Sequence, residues 1–484
     1  MKRFLSSMMM AGLLAHSLAS SAEAIEFHND NVLGTSMQLR IDAERSEAAI
    51  AQQNVINEIK RLENVYSSYD PNSELMQIHS GKKKTLSTDL QKMVELCQHW
   101  QKQLPMAFSC RLGDVIAAWN KAEKEQARPD RKEIRALARK ALYSEYDLTK
   151  DQVPQDFKWE FSAIAKGYII DQALNIAKAS APSAKAIMLN IGGDIAQWQG
   201  GHDTPWKVSI ANPNQMDDSQ GSTLGKLTLA NNAIAYSGHN ARSRKIGRRE
   251  YSHILQARDG WPRDFPHNAI VVAKDATTAD ANATALSTMA VSEAIDWVES
   301  QDSIEALLID EQGRQYASTG WNHNGGPEAQ EPLASIHFSL PKIRSGNYRK
   351  PYVALWIENS KRKVVKNLLL LGDSERWMSK NSLWWRRLGR KEPNLLDIMA
   401  RPTRRAGQYS IEWQGLDDFG KPLSKGKYQL IIEAAREHGG HEKISIPFEL
   451  GKPLKLTEKG QKEIQHIELT LRPTLVANAE LASN

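Results

Sequence analysis

The stretch Thr277-Thr278-Ala279-Asp280-Ala281-Asn282-Ala283-Thr284 decides how this chain is read. The pattern from Asp275 to Val298 predicts one long helix. On a helix, Asp280 and Thr284 lie one turn apart on the same face. A carboxylate and a hydroxyl so spaced offer two hard oxygen ligands, which suit Mg²⁺ better than zinc. A structural helix gives the same pattern, because an acid in the first turn is favoured by the macrodipole and a neutral Thr follows without cost. Spacing alone leaves both readings open.

Working outward, Ile270–Ala273 reads as a strand before this helix, and Ser303–Ile309 as a strand after it. Asp310-Glu311-Gln312-Gly313 then turns the chain into a partner strand. Upstream, Val55, Ile59, Leu62 and Tyr66 mark an amphipathic helix, and Leu112, Val115, Ile116 and Trp119 a shorter one. Glu123 to Lys140 is charged and helix-prone, a solvated face. Ala165 to Ala181 reads as a helix stopped by Pro182, and Ala186 to Ile191 as a strand. Mixed helices and strands of this kind predict an α+β domain over residues 25–320.

Three more segments within it carry chemistry. Glu160-Phe161-Ser162-Ala163-Ile164-Ala165-Lys166-Gly167-Tyr168 puts a Lys at the opening of a helix, where it could meet a phosphate or stand in solvent. Asn190-Ile191-Gly192-Gly193-Asp194 ends a strand in glycines, which suits close approach to a ligand or a plain turn. His253 lies on the apolar run Tyr251–Leu255, as a core histidine or a general base.

The 484 residues hold 63 Lys and Arg against 57 Asp and Glu, a surplus of +6 that suits an anionic partner without requiring one. Residues 1–24 read as a cleaved secretory signal peptide: Lys2 and Arg3, an apolar stretch, then Ala22-Glu23-Ala24. No later segment is long and apolar enough to span a bilayer. Secretion argues against nucleic acid as a partner. The two cysteines, Cys97 and Cys110, could pair in an oxidising compartment. Cys97 also recurs at helical spacing with Leu90, Met93, Val94 and Trp100, which predicts a small buried apolar residue. Residues 321–334 read as a linker. Beyond it, residues 335–484 alternate short apolar runs with Gly-, Pro- and Asp-rich turns, which predicts a small β-sandwich. There, Trp377, Trp384 and Trp385 with Arg386 and Arg387 fit either a docking face or core tryptophans beside a basic turn.

In order along the chain, the segments resemble the ApbE-like family of FAD:protein FMN transferases, with a T-fold-like mixed α/β domain. The likeness rests on Gly34-Thr35-Ser36-Met37, Ser68-Tyr69-Asp70-Pro71-Asn72-Ser73, Ala107-Phe108, Ala163–Tyr168, Asn190–Asp194, Ser237-Gly238, Ser252-His253-Ile254 and Asp280–Thr284. The resemblance implies that FAD binds with Mg²⁺ and that FMN passes to a Thr or Ser hydroxyl of a periplasmic acceptor flavoprotein, releasing AMP. It implies Asp280, Thr284 and the Ala163 carbonyl as metal ligands, and His253 as the base. Lys166 would be a diphosphate or flavin contact, and Met37, Tyr69, Phe108 and Ile254 walls of the flavin and adenine pocket. Ala107, Ser109 and Glu160 complete the expected FAD contacts. Glu160 stands where the family has Asp, Ser109-Cys110-Arg111 replaces an Asp and Thr after Ala107-Phe108, and Gln256-Ala257 replaces Asp-Pro. Two other readings stay open: an FAD pyrophosphatase giving FMN and AMP, with water as acceptor at the same site, and, motivated by these departures, a non-catalytic periplasmic flavin-binding protein. The C-terminal part looks like an uncharacterised periplasmic β domain that accompanies some of these transferases. Asp217–Thr223 faintly resembles the acceptor motif itself.

Overall fold

The computed structural model describes residues 24–147, 153–200, 206–213, 223–238, 243–263, 267–321, 332–343, 348–392 and 394–472. All of the expected signal peptide except Ala24, most of the acceptor-like stretch and most of the linker lie outside them. In chain order the first part runs β1 (Ile25–Val32), β2 (Thr35–Asp42), α1 (Arg45–Tyr66), α2 (Glu74–His79), α3 (Thr88–Gln103), α4 (Gly113–Glu125), α5 (Arg131–Tyr143) and α6 (Ala165–Ser180). It continues with β3 (Ala186–Ile191), β4 (Asp194–Gln199), β5 (Trp206–Ala211), β6 (Thr223–Leu229), β7 (Ala233–Ser237), β8 (Ser243–Ile246), β9 (Arg249–Ser252), β10 (His267–Ala273), α7 (Ala276–Thr288), α8 (Val291–Glu299), β11 (Glu305–Asp310) and β12 (Gln315–Ala317).

Eight strands form one antiparallel sheet in the order β1-β2-β3-β4-β7-β10-β11-β12. Alternation divides its side chains between two faces. Ile187, Leu189 and Ile191 join the main core with α1, α3, α6 and α7, while Met188 turns to a second core under the β5–β6 hairpin. Helix α7 is enclosed on every side, all of its residues being buried except Thr278 and Thr284. A third small core, built on Trp119 and Trp261, joins α4 and α5 to the β8–β9 hairpin.

Two expected helices are each broken in two. The Asp275–Val298 pattern divides because Met289 and Ala290 are extended, so α8 starts afresh at Val291. The Glu123–Lys140 run divides where Gln126 takes a left-handed conformation, and Asp130 then caps α5 through the Lys132 N–H. His253 lies just past the end of β9 rather than on a strand.

The C-terminal part is a sandwich of two sheets. With β13 (Ala334–Leu340), β14 (Tyr352–Asn359), β15 (Val364–Leu371), β16 (Ala400–Arg401), β17 (Gly407–Trp413), β18 (Gly426–Ala435), β19 (His441–Leu450), β20 (Leu454–Lys459) and β21 (His466–Leu471), the orders are β17-β13-β21-β20 and β16-β15-β14-β18-β19. Ile336 and Phe338 from one sheet meet Val353 and Leu355 from the other in a shared core. Short helical turns over residues 375–399 cover the outer face, where Trp384 is fully buried and its indole N–H donates to Asn367 Oδ1 at 3.2 Å. Arg387 pairs with the buried Glu358 at 3.2 Å. The tryptophan cluster is therefore centred on a core residue, since the segment folds back over β14 and β15 instead of facing outward.

The two parts meet along a seam. Ser292 Oγ of α8 donates to the Ala400 carbonyl at 2.9 Å, Arg401 pairs with Asp296 at 3.1 Å, and Arg314 pairs with Glu392. The Gln315 N–H donates to the Asp418 carbonyl at 2.8 Å, and Ile398 enters the main core of the first part.

Cys97 is buried, as its helical spacing predicts, and it is also bonded to Cys110 with the Cα atoms 5.8 Å apart. Periodicity shows which way Cys97 points but not what meets it. The chain after α3 turns back at Leu104 and brings Cys110 onto the inner face of the helix. Closing a loop of 13 residues should contribute roughly 2–4 kcal/mol. A Cys97→Ala/Cys110→Ala chain is expected to lose that much in urea denaturation and to become insensitive to reductant. Equal resistance of the double variant and the oxidised protein would mean that packing alone holds the loop.

Candidate functional site

The site is built where α6 crosses α7. Gly167 makes the crossing possible. A Cβ on it would stand 2.2 Å from the Ala276 carbonyl oxygen and 2.7 Å from Asp280 Cβ. At this contact each helix satisfies the other. The Gly167 N–H donates to Asp280 Oδ2 at 2.9 Å. In return, the Ala276 and Thr277 N–H groups donate to the two oxygens of Asp171, at 2.9 and 2.8 Å. Asp275 caps α7 through the Thr278 N–H at 2.7 Å.

Lys166, one residue before the crossing, pairs with the fully buried Asp194 at 2.7 Å. Asp194 is brought there by the turn that the sequence singles out. Gly192 and Gly193 both have positive φ, forming a two-residue hairpin between β3 and β4, and Asn190 Oδ1 accepts from the Gly193 N–H. Asp194 Oδ1 also accepts the Tyr236 N–H at 3.0 Å. Burial raises the affinities of Asp194, Asp280 and Asp171 for a proton, and the charge of Asp194 raises that of Asp280 further. Two buried acids, Asp194 and Asp280, thus share one close lysine, and the half-buried Asp171 adds to their charge. The neighbourhood has an excess of negative charge that a bound cation would relieve.

Among the described residues no three His, Cys, Asp or Glu side chains gather as a ready ligand set. A cation here would depend on Asp280, on the half-buried Thr284 one turn along, and on backbone carbonyls. These are hard oxygen donors, and with the unbalanced buried carboxylates they fit a small dication such as Mg²⁺. Ala163 is half-buried in the turn just before α6.

The far end of α7 borders a cleft lined by Ser252, Ile254, Gln256, Arg263, His267, Ser287 and Thr288. Thr288 Oγ1 donates to the Ala107 carbonyl at 3.0 Å, which ties the Ala107-Phe108 segment to the same helix. Ser237 Oγ lies 3.4 Å from Ser287 Oγ. Ile254 lines the cleft, and His253 lies between two lining residues. On another side, Glu160 accepts from Ser68 Oγ and from the Ser162 N–H, both at 3.3 Å, with its carboxyl affinity raised by burial. Tyr69 beside Ser68 is 81% exposed. Met37 and Phe108 are each 1% exposed and belong to the main core, with no face open to solvent. Ser109 is buried against Gln101 and accepts the Arg111 N–H.

With this geometry in view, residues 33–308 match the ApbE family. The chain belongs to the ApbE family. Residues 334–466 match a second family, described as a predicted periplasmic protein (DUF2271). An FAD:protein FMN transferase of Klebsiella pneumoniae is 22% identical over 262 residues, covering 52% of this chain and 79% of that protein. One from Chlamydia pneumoniae is 24% identical over 283 residues, covering 55% and 84%. The ApbE protein of Thermotoga maritima shares the fold at a TM-score of 0.55 and 23% identity, covering 61% of this chain and 97% of its own. A mutant flavin transferase ApbE from Vibrio cholerae superimposes at a TM-score of 0.50 and 20% identity, covering 62% and 98%.

Sequence reasoning passes over two residues of this ApbE-family domain. Asp171 carries the α7 end of the crossing, and an acid amid the apolar residues of α6 was its only signal. Arg263 donates to the Thr288 carbonyl at 3.3 Å and had none. Gly167→Ala must push backbone apart, so it is expected to cost roughly 1–3 kcal/mol in chemical denaturation. A Gly167→Ala midpoint equal to wild type would show that the helices part freely.

Proposed function

We propose that this chain moves FMN from FAD to a Thr or Ser hydroxyl of a periplasmic acceptor protein, releasing AMP. One observation carries the reading beyond family membership: the excess of buried carboxylate at the α6–α7 crossing, with hard oxygen donors one turn apart on α7. Mg²⁺ held by Asp280, Thr284 and the Ala163 carbonyl would supply charge neutralisation for the FAD diphosphate. Lys166 lies beside the same carboxylates and serves as a mobile point charge for a phosphate oxygen. The acceptor oxygen forms a bond to the phosphorus on the FMN side, and the bond from that phosphorus to the AMP oxygen breaks. His253 takes the hydroxyl proton. Tyr69, Ile254, Ala107, Ser109 and Glu160 contact the flavin and adenine, with Met37 and Phe108 backing them from the core. The match to a predicted periplasmic family supports an address in the periplasm, as does the signal-like start. Among the described residues no helix is long and apolar enough to cross a membrane.

The test incubates the protein with FAD, Mg²⁺ and an acceptor domain, and follows protein-bound flavin fluorescence and AMP. Labelled acceptor with matching AMP is expected. AMP without label would favour hydrolysis, and bound FAD with neither product would favour a flavin-binding protein. Asp280→Asn is expected to lower Mg²⁺-dependent transfer by about a hundredfold or more. It should also abolish the rise in melting temperature that Mg²⁺ gives the wild type. A variant that keeps both responses would remove Asp280 from the metal site.

A further inference from the structure

One unit of the first part carries a local surplus of positive charge. Residues 111–146 and 243–263 hold 15 Lys and Arg against 8 Asp and Glu. These two segments include the small unit of α4, α5 and the β8–β9 hairpin, with its own core. Within it the cations gather on one face of α5. Arg131, Lys132, Arg135 and Arg139 fall within roughly 100° of the helix circumference, and all four are exposed. Ile134, Ala138 and Ala141 turn inward instead. Among the described residues, none of the four cations has an ion-pair partner. Like charges a turn apart destabilise a helix slightly, a cost that this face carries.

One end of this face is linked to the cleft through Trp261 and Gln256. Arg131 and Arg128 lie over the ring of Trp261, at 5.3 and 5.4 Å. The Trp261 carbonyl accepts from the Gln256 N–H at 3.0 Å, and Gln256 lines the cleft beside Ile254. From Arg131 to Arg139 the ladder runs about 12 Å, the length of roughly four extended residues. A narrow ladder with one end over Trp261, whose backbone bonds a lining residue of the cleft, matches a chain segment rather than a flat surface.

We propose that this face of α5 docks an acidic segment of the acceptor protein and guides its hydroxyl residue to the cleft; the inference rests on the transferase reading above. The test compares Arg135→Glu/Arg139→Glu with Lys361→Glu/Lys427→Glu, the same charge change on exposed residues of the sandwich. The probe is a fluorescein-labelled peptide of Asp, Ser, Thr and Gly, with an Asn-for-Asp counterpart, followed by anisotropy at low salt. Wild type should prefer the Asp peptide and lose it as salt rises. The α5 variant should bind it about tenfold more weakly or worse, while the sandwich variant stays within about twofold and both keep wild-type FAD affinity. Equal weakening in the two variants, or none in the α5 variant, overturns the proposal. So does a wild-type preference for phosphatidylglycerol vesicles or a single-stranded oligonucleotide over the peptide. A wild type that binds the Asp peptide but no FAD would instead overturn the transferase reading.

Discussion

The absence of a single side chain at Gly167 governs this domain. Because no Cβ stands there, α6 and α7 approach until a backbone N–H of one reaches a carboxylate of the other. The exchange is reciprocal, Asp280 accepting from α6 and Asp171 from the start of α7. Hydrogen bonds to charged groups are stronger than neutral ones, and leaving either acid without its donors would be costly in a buried place. The crossing therefore fixes the position and rotation of α7. Thr284, Ser287 and Thr288 follow from that rotation, and so does one wall of the cleft.

Fixing α7 so tightly concentrates like charge. Asp280 and Asp194 come from different elements, a helix and a hairpin, and meet around one lysine. Such an arrangement is poor for stability, since burial disfavours each charge and the acids repel each other. Added positive charge would relieve it. The hairpin needs two glycines at positive φ to bring Asp194 in, and Gly192 leaves no room for a side chain beside Thr35. Geometry that demands special backbone is retained here to hold an electrostatically uncomfortable site.

Much of this was legible in the residues. The strands flanking α7, the helices α1 and α6, and the apolar alternations of the sandwich follow from periodicity, because burial imposes period 2 or 3.6 directly on the sequence. The helix breaks were not legible. Met289 and Ala290 are ordinary helix formers, and only tertiary packing makes them extended. The bond between Cys97 and Cys110 stays open in the sequence for a similar reason, since it depends on a loop reversing at Leu104 and not on spacing. In the site, Asp280, Thr284 and Lys166 could be named from motif and resemblance. Asp171 could not be assigned its role, because a carboxylate that caps a distant helix leaves no local pattern. Met37 and Phe108, walls of the flavin pocket by resemblance, pack into the main core, a placement that hydrophobicity alone does not separate from a pocket wall.

The seam between the two parts has a consequence for how the molecule comes apart. Helix α8, which carries Ser292 and Asp296 into the seam, is separated from α7 by only two residues. Ile398 from the sandwich side is packed in the first part's core. Melting either half would strip partners from the other, so the chain should lose structure cooperatively, in one calorimetric transition rather than two. The accessory sandwich is in this sense a stabilising clamp on the helix next to the site, and shaking it loose would be felt at Asp280.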